Sequence, residues 1–168
     1  MRLFFCLFLC CGCFCDLYAD LKTSTPHPVF SPPDAVTLKI SADCTPDAIV
    51  SPDAVVAMFS QYFRTEITNR FAGTAFSPVI IVQQKDQYDT GMVITIVLNG
   101  YAVTLSSCSM YIEYTINDSL YTYTDMIVYS TPIDTGKLHG TYAQKKTAAC
   151  EQAVALFIKQ FLDTFFTK

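Results

Sequence analysis

The chain has no tryptophan, only two histidines and few charged residues. Lysine and arginine together number 11, charged residues make up 15% of the 168 residues, and the net charge is −4. The longest basic run is Lys145-Lys146. Nucleic-acid binding depends on clustered lysine and arginine that offset phosphate charge, so we do not expect a nucleic-acid partner.

The residue clusters that carry catalysis are also missing. His27 lies between two prolines, and His139 lies in a glycine-containing loop. His139 could in principle act as a base for Cys108 or Cys150, but no spacing supports such a pair. There is no glycine-rich phosphate loop, and the serines beside Cys108 lack the glycines of a nucleophile elbow. We therefore expect a non-enzymatic protein without a cofactor.

Cysteine is scarce in the body of the chain, although the chain contains eight. Five of the eight stand within the first 15 residues, and Cys44, Cys108 and Cys150 are the others. These three lack the close paired spacing of a zinc site, so no metal site is predicted. After export one disulfide is possible, with three ways to choose it. An unpaired buried thiol is an equally good interpretation.

The N-terminal segment predicts export from the cytoplasm. Arg2 precedes an uncharged run from Leu3 to Gly12, and the apolar stretch ends before Asp16. One positive residue followed by a short apolar run is typical of a secretory signal. The run is shorter than the roughly 20 residues that a membrane-spanning helix needs. We expect residues 1–19 to be a signal peptide and the mature protein to be periplasmic.

Processing of this signal has three possible outcomes. Gly12-Cys13 fits the end of a bacterial lipoprotein signal, in which Cys13 is the lipid acceptor, although Cys10 and Cys11 are irregular there. Cleavage after Ala19 is the second outcome, and an uncleaved N-terminal anchor is the third. The first is favoured because the apolar run stops at a cysteine cluster. It predicts a lipid anchor in the outer membrane.

Two further regions follow the signal. Residues 20–35 contain four prolines among polar residues, which predicts an extended spacer. Residues 36–168 are rich in aromatic and aliphatic residues and have the length of one ordinary domain. We expect this region to form a single α+β domain.

Apolar periodicity locates the outer elements of this domain. Residues 36–42 alternate as a half-buried strand, and residues 79–82 form a short apolar run typical of an interior strand. Ser51-Pro52-Asp53 is typical of a helix start, with Gly73 as its stop. Helical spacing then resumes from Thr147. The residues predicted to face the core are Val56, Phe59, Phe63, Ile67 and Phe71 in the first helix, and Val154, Phe157, Ile158, Phe161, Leu162 and Phe165 in the second.

Two hairpins are predicted between these elements. Asn99-Gly100 favours a type I′ turn that would pair Leu98 with Tyr101. A second turn at residues 117–119 would pair Ile116 with Tyr121. The buried positions change parity between the hairpins, which predicts a bulge or turn within Ser106–Ser109. The order strand, helix, strand, two hairpins, helix predicts a two-layer α+β sandwich. In it, two amphipathic helices cover one face of a largely antiparallel sheet.

This layout resembles small outer-membrane lipoproteins of the lipopolysaccharide-assembly (LptE-like) type. The likeness rests on Gly12-Cys13, Val36–Ala42, Ser51–Phe71, Met110–Tyr129 and Ala148–Phe165. Auxiliary lipoproteins of lipid ABC transporters are similar in the same way. The resemblance implies a role in envelope assembly, and it implies lipidation of Cys13.

Three residues of the second hairpin are candidates for binding. The parity of Asp125 places its carboxylate on the apolar face, where it must be hydrogen-bonded or must serve a ligand groove. Tyr111 and Met126 lie on the opposite face of a hairpin that is rich in tyrosine, and aromatic residues are enriched at recognition surfaces. Tyrosine is also simply favoured in strands, so both interpretations stay open.

The function predicted from these features is that of a non-enzymatic cell-envelope lipoprotein. It would bind an outer-membrane or transporter partner and be held at the membrane by its lipid. The alternative is a soluble periplasmic module that binds a small apolar ligand between sheet and helices, or that serves a lipid ABC transporter.

Overall fold

The computed structural model describes residues 27–31, 35–42, 44, 49–71, 79–82 and 91–166. For residues 79–82 it describes the backbone alone. The elements in chain order are β1 (Ala35–Ala42), α1 (Pro52–Arg70), β2 (Val79–Val82), β3 (Met92–Val103), β4 (Ser107–Asn117), β5 (Thr122–Pro132), a short 3-10 helix (Thr135–Lys137) and α2 (Tyr142–Phe165). The predicted signal at residues 1–19 lies outside the described residues.

The five strands form one mixed sheet in the order β2-β1-β3-β4-β5. Strand β1 runs parallel to both of its neighbours, whereas β3, β4 and β5 are antiparallel. Helices α1 and α2 contact each other and share one hydrophobic core with the sheet. The predicted α+β sandwich is confirmed. The strand predicted at residues 79–82 is present, but it lies at the edge of the sheet rather than in the interior.

Helix α1 begins where the sequence predicts. The Ala54 amide donates a hydrogen bond of 3.2 Å to the Ser51 hydroxyl, and Pro52 occupies the first turn, where its missing amide has no helical partner to lose. The core-facing residues include Phe59, Phe63 and Ile67 as predicted, together with Val55 in place of Val56. The predicted stop at Gly73 lies outside the described residues.

Helix α2 begins at Tyr142, five residues earlier than predicted. Thr141 and Gln144 form a reciprocal capping box, in which each side chain accepts a hydrogen bond from the backbone amide of the other. This cap holds an exposed first turn that apolar periodicity does not mark. The six residues predicted to face the core are all buried, and Ala149, Cys150 and Ala153 join them.

The predicted hairpin at Asn99-Gly100 is wrong. Strand β3 continues through both residues, and the chain reverses only after Val103. The hydroxyl of Thr104 accepts hydrogen bonds from the Ser106 and Ser107 amides, at 3.3 and 2.9 Å, and so closes that turn. Pairing along β3 outweighs the local turn preference, because β1 pairs with the strand up to Leu98 and β4 pairs with it on both sides of Asn99.

A bulge replaces the predicted turn. Leu98 lies opposite Ile112 and Gly100 lies opposite Tyr111, so Asn99 is an extra residue without a cross-strand partner. The bulge changes the buried positions of β3 from even to odd. The predicted change from odd to even lies at the turn between Val103 and Cys108, which overlaps Ser106–Ser109.

The second hairpin is confirmed with a shifted register. Ile116 pairs with Tyr123 instead of Tyr121, because the turn spans four residues from Asp118 to Tyr121. The Asp118 carboxylate accepts hydrogen bonds from the Leu120 and Tyr121 amides, at 2.8 and 2.6 Å. A shift of two residues leaves every side chain on its predicted face.

Part of the predicted spacer packs against the domain. The Phe30 amide donates a hydrogen bond of 2.7 Å to the Phe165 carbonyl, and Phe30 forms a bridge with Phe166. The Phe30 side chain is buried, and the His27 ring contacts Phe165 edge to face. Residues 27–31 therefore cover the C-terminal end of α2.

Candidate interaction surface

The face of the sheet that points away from the helices carries a small apolar patch. Side chains alternate along a strand, so odd positions of β4 and even positions of β5 share this open face. Tyr111 is directly opposite Val128, and Glu113 is opposite Met126. The exposed fractions are 40% for Tyr111, 51% for Met126 and 71% for Val128. We call Tyr111, Met126 and Val128 the open-face patch.

Polar groups border this patch along the hairpin. On one side the hydroxyls of Ser109 and Ser130 are 2.9 Å apart. On the other side those of Thr115 and Thr124 are 3.0 Å apart. An apolar centre with an aromatic residue and methionine, bordered by polar groups, is the usual composition of a protein-binding surface.

Gly100 in β3 is the cross-strand neighbour of Tyr111 in β4. A Cβ atom built at Gly100 would meet only the Cβ atom of Tyr111, at an ordinary contact distance of 3.9 Å. Gly100 thus places no side chain beside Tyr111 at this position of β3.

Asp125 is on the opposite face of the sheet from the open-face patch, as its parity predicts. The Tyr123 hydroxyl donates to its carboxylate at 3.3 Å, and the Met126 amide donates at 2.8 Å. Its cross-strand neighbour is Tyr114. The structure thus brings Tyr111 and Met126 together and places Asp125 elsewhere, in a bonded position beside the core. A ligand role for Asp125 stays a prediction.

The environment of Asp125 is an aromatic layer beneath α2. Tyr114 is 1% exposed, and its ring centroid lies 5.2 Å from that of Phe161 and 5.5 Å from that of Phe165. Burial raises the pKa of Tyr114, and the neighbouring Tyr123 and Asp125 add to this effect. A tyrosine held neutral in this way is unsuited to act as a base at neutral pH.

A separate cleft of about 560 Å³ lies at one end of the sheet. It is bordered by the segment around Phe30, by Met92 at the start of β3, and by Leu120 and Tyr121 in the turn between β4 and β5. Leu120 is 79% exposed and Tyr121 is 64% exposed. The sequence did not predict this exposure, because Tyr121 was expected to pair with Ile116 and a turn that contains Asp and Ser gives no signal of apolar exposure.

Metal-binding clusters and membrane-spanning helices are both absent from the residues that the structure describes. Those ranges contain no group of three histidine, cysteine or acidic side chains that could hold a metal ion. Over the same ranges, neither helix combines the length and the apolar character needed to cross a bilayer. His139 is exposed, whereas Cys108 and Cys150 are fully buried.

Comparison with known proteins yields likeness of fold alone. No protein-family profile matches the chain, and no curated protein does. A crystal structure of an uncharacterized protein matches with a TM-score of 0.50 at 7% identity, and the match covers 81% of this chain and 93% of that one.

Two further solved structures have lower scores. The PelC dodecamer from Paraburkholderia phytofirmans matches at 12% identity and a TM-score of 0.42, over 79% of this chain and 94% of that one. A hypothetical protein from Chlamydia trachomatis matches at 12% identity and a TM-score of 0.43, over 78% of this chain and 96% of that one. The resemblance to lipopolysaccharide-assembly lipoproteins stays an expectation from the sequence.

Proposed function

We propose that this chain is a non-enzymatic lipoprotein of the bacterial cell envelope that binds a protein partner through the open-face patch. The observation that carries the proposal is the exposure of Tyr111, Met126 and Val128 side by side on one hairpin. The largest contiguous apolar patch on a soluble protein is often a binding site. The signal-like N-terminus supports the location.

The chemistry of the patch defines the partner it suits. Tyr111 offers a ring with one polar end, and Met126 offers a flexible side chain that adapts to irregular surfaces. A partner that lays apolar side chains on this centre can also hydrogen-bond to the flanking serine and threonine hydroxyls. The partner is therefore a folded protein surface with an apolar centre, held at the outer membrane.

Pull-down from crosslinked membranes tests the patch. The double variant Tyr111→Ser/Met126→Ser is expected to lose most partner capture, because it removes the apolar centre and leaves the strand pairing intact. The matched control is Leu120→Ser, which removes an exposed apolar side chain from the turn outside the patch and should preserve capture. Thermal unfolding of both proteins checks that the fold is unchanged. Undiminished capture by the double variant would show that this face is ordinary sheet.

Mass spectrometry of the native N-terminus tests the anchor separately. Diacylglycerol on Cys13 is the expected result for a lipoprotein. A free Asp20 would instead show cleavage after Ala19 and a soluble periplasmic protein. The binding proposal for the patch survives either result, whereas the lipid-anchor proposal survives only the first.

The cleft beside Leu120 supports a second candidate function. Its volume lies in the range of small-molecule sites, and Met92, Leu120 and Tyr121 give it an apolar border. A soluble module for a small apolar ligand would use this cleft. Titration with a fluorescent fatty acid tests it, and Leu120→Asp is expected to weaken binding at least tenfold. No saturable binding to the wild-type protein would exclude this candidate.

A further inference from the structure

Two of the three cysteines in the described residues face each other inside the core. Cys108 is near the start of β4, and Cys150 lies in the third turn of α2. Both residues are 0% exposed, and the two thiols lie within hydrogen-bonding reach of each other. Cys44, the third, is half-buried at the edge of the core. The contact between Cys108 and Cys150 favours this pair over the other two possible pairs.

The close approach of these thiols follows from the residues around them. The buried face of α2 carries small residues, Ala149 and Ala153, beside Cys150 and has phenylalanines only from Phe157 onward. Small side chains let this part of the helix lie close to the sheet. Cys108 is itself held between β3 and β5, where it pairs with Val103 and Thr131.

Burial also determines when these thiols can react. Disulfide exchange requires a thiolate that reaches the oxidant. The hydrogen bond with Cys150 and desolvation raise the pKa of the Cys108 thiol. In the folded protein the pair is therefore protonated and shielded. Oxidation must occur while the chain folds, before α2 covers β4.

We propose that Cys108 and Cys150 are a disulfide site that links β4 to α2 when the chain folds in an oxidising compartment, while Cys44 remains a thiol. The oxidant is a disulfide, either of a thiol–disulfide oxidoreductase or of glutathione. One cysteine thiolate attacks it and forms a mixed disulfide with release of one thiol. The second thiolate displaces the other thiol and closes the Cys108–Cys150 bond. Two protons and two electrons leave the chain, and the oxidant disulfide becomes two thiols.

The link has a measurable consequence for stability. It closes a loop of about 40 residues, which restricts the unfolded chain. The midpoint of thermal unfolding is expected to be higher in the oxidised protein by an amount on the order of 10 °C. In the cell, formation of the link depends on the export proposed above. In vitro, it depends only on the geometry of the pair.

Peptide mapping after refolding tests the site. The full chain is unfolded, refolded in a glutathione redox buffer, alkylated and cleaved with trypsin. Cys44, Cys108 and Cys150 fall in the separate peptides 40–64, 86–137 and 147–159, and the five N-terminal cysteines fall in 3–22. We expect peptide 86–137 to be joined to 147–159, with Cys44 alkylated. Alkylation of both Cys108 and Cys150, or a bond from either to another cysteine, would overturn the proposal.

Variants and a cellular measurement complete the test. Cys44→Ala is expected to keep both the link and the midpoint shift, and Cys150→Ala to lose both. If Cys150→Ala does not fold, the peptide map of the refolded wild-type protein still tests the proposal. The map is then repeated on protein taken from cells with its thiols trapped in acid. Reduced thiols in the cell together with a linked refolded protein would overturn the proposed export and leave the disulfide site standing.

Discussion

Tyr114 and Phe161 pack edge to face, with ring centroids 5.2 Å apart and ring planes at 88°. This contact joins the middle of β4 to the second half of α2. Tyr114 is 1% exposed, and its hydroxyl has no hydrogen-bond partner of good geometry among the described residues. The ring and the hydroxyl of Tyr114 therefore make opposite contributions to stability.

Tyr114→Phe is expected to leave the free energy of unfolding unchanged or to raise it by up to about 1 kcal/mol, because it removes a buried unpaired hydroxyl. Tyr114→Ala should lower it by about 3–5 kcal/mol, because it removes the ring from a packed aromatic layer. Urea unfolding of both variants measures the difference. A loss above about 1 kcal/mol in Tyr114→Phe would mean that the hydroxyl is bonded.

Tyr129 makes stability depend on pH in the alkaline range. Burial raises the pKa of Tyr129 to about 12 from an ordinary value of 10.0. The Thr131 hydroxyl opposes this shift, and Cys108 adds a smaller contribution in the same direction as burial. The folded state thus favours the neutral form. The stability that Tyr129 contributes is complete below pH 10 and is lost as the pH rises towards 12.

The expected loss from Tyr129 is about 2–3 kcal/mol over these two pH units. Urea unfolding of the wild type and of Tyr129→Phe, between pH of about 9 and about 11.5, measures it. The variant should lose less stability than the wild type over this range. Tyr121→Phe, which removes an exposed hydroxyl, is the control and should follow the wild type. Parallel curves for Tyr129→Phe and the wild type would contradict the prediction.

Asp125 is expected to matter for stability rather than for partner binding. Its carboxylate accepts hydrogen bonds from the Tyr123 hydroxyl and the Met126 amide, on the face opposite the open-face patch. Asp125→Ala should lower the free energy of unfolding by about 1 kcal/mol and leave partner capture unchanged. Capture lost at unchanged stability would instead support a ligand groove at Asp125. Unfolding and pull-down on the same preparation distinguish the two.

Arg70 ties the C-terminal ends of the two helices together. Its guanidinium lies 2.6 Å from the Asp163 carboxylate and donates a second hydrogen bond of 2.9 Å to the Phe166 carbonyl. The Arg70 side chain is 11% exposed, whereas that of Asp163 is 47% exposed. The arginine is thus partly desolvated, and the carboxylate is not.

Arg70→Met should therefore lower the free energy of unfolding by about 2 kcal/mol and Asp163→Asn by about 1 kcal/mol. In the double variant we expect a coupling energy of about 0.5–1 kcal/mol. Arg64→Met, at an exposed position of the same helix, is the control and should have little effect. Strictly additive losses in the double variant would show that the ion pair contributes nothing.

The sequence predicted the elements whose apolar residues repeat over several turns or several strand positions. The six core residues of α2 are buried as expected, and the faces of β4 and β5 are correct even though their register is shifted by two. Long repeats predict secondary structure well because each residue is independent evidence for the same periodicity. The α+β sandwich follows, because two amphipathic helices and one half-buried sheet cover each other.

Features that depend on distant partners could not be predicted in this way. Asn99-Gly100 has the local preference of a turn, but β4 pairs with β3 on both sides of Asn99 and keeps the strand extended there. The pairing of Cys108 with Cys150 depends on how closely α2 approaches β4, which no local pattern encodes. Tyr111 and Met126 were predicted to share a face. Val128, the most exposed residue of the patch, was not singled out.

The bulge at Asn99 can be tested by deletion. Asn99 has no cross-strand partner, and the pairs on either side of it, Leu98 with Ile112 and Gly100 with Tyr111, do not need it. Deletion of Asn99 would leave each remaining residue on its present face and make the ladder regular. We expect this variant to fold, with the open-face patch still able to capture a partner.

Deletion of Thr95 is the matched control. Thr95 lies in the same strand but pairs with Lys39 and Thr115. Its removal forces one side of β3 to slip by a residue, which moves apolar side chains such as Ile94 or Ile96 out of the core. We expect it to reduce the free energy of unfolding by at least about 2 kcal/mol more than the deletion of Asn99. Equal damage from both deletions would mean that Asn99 is an integral part of the ladder, and urea unfolding of the two variants decides between these outcomes.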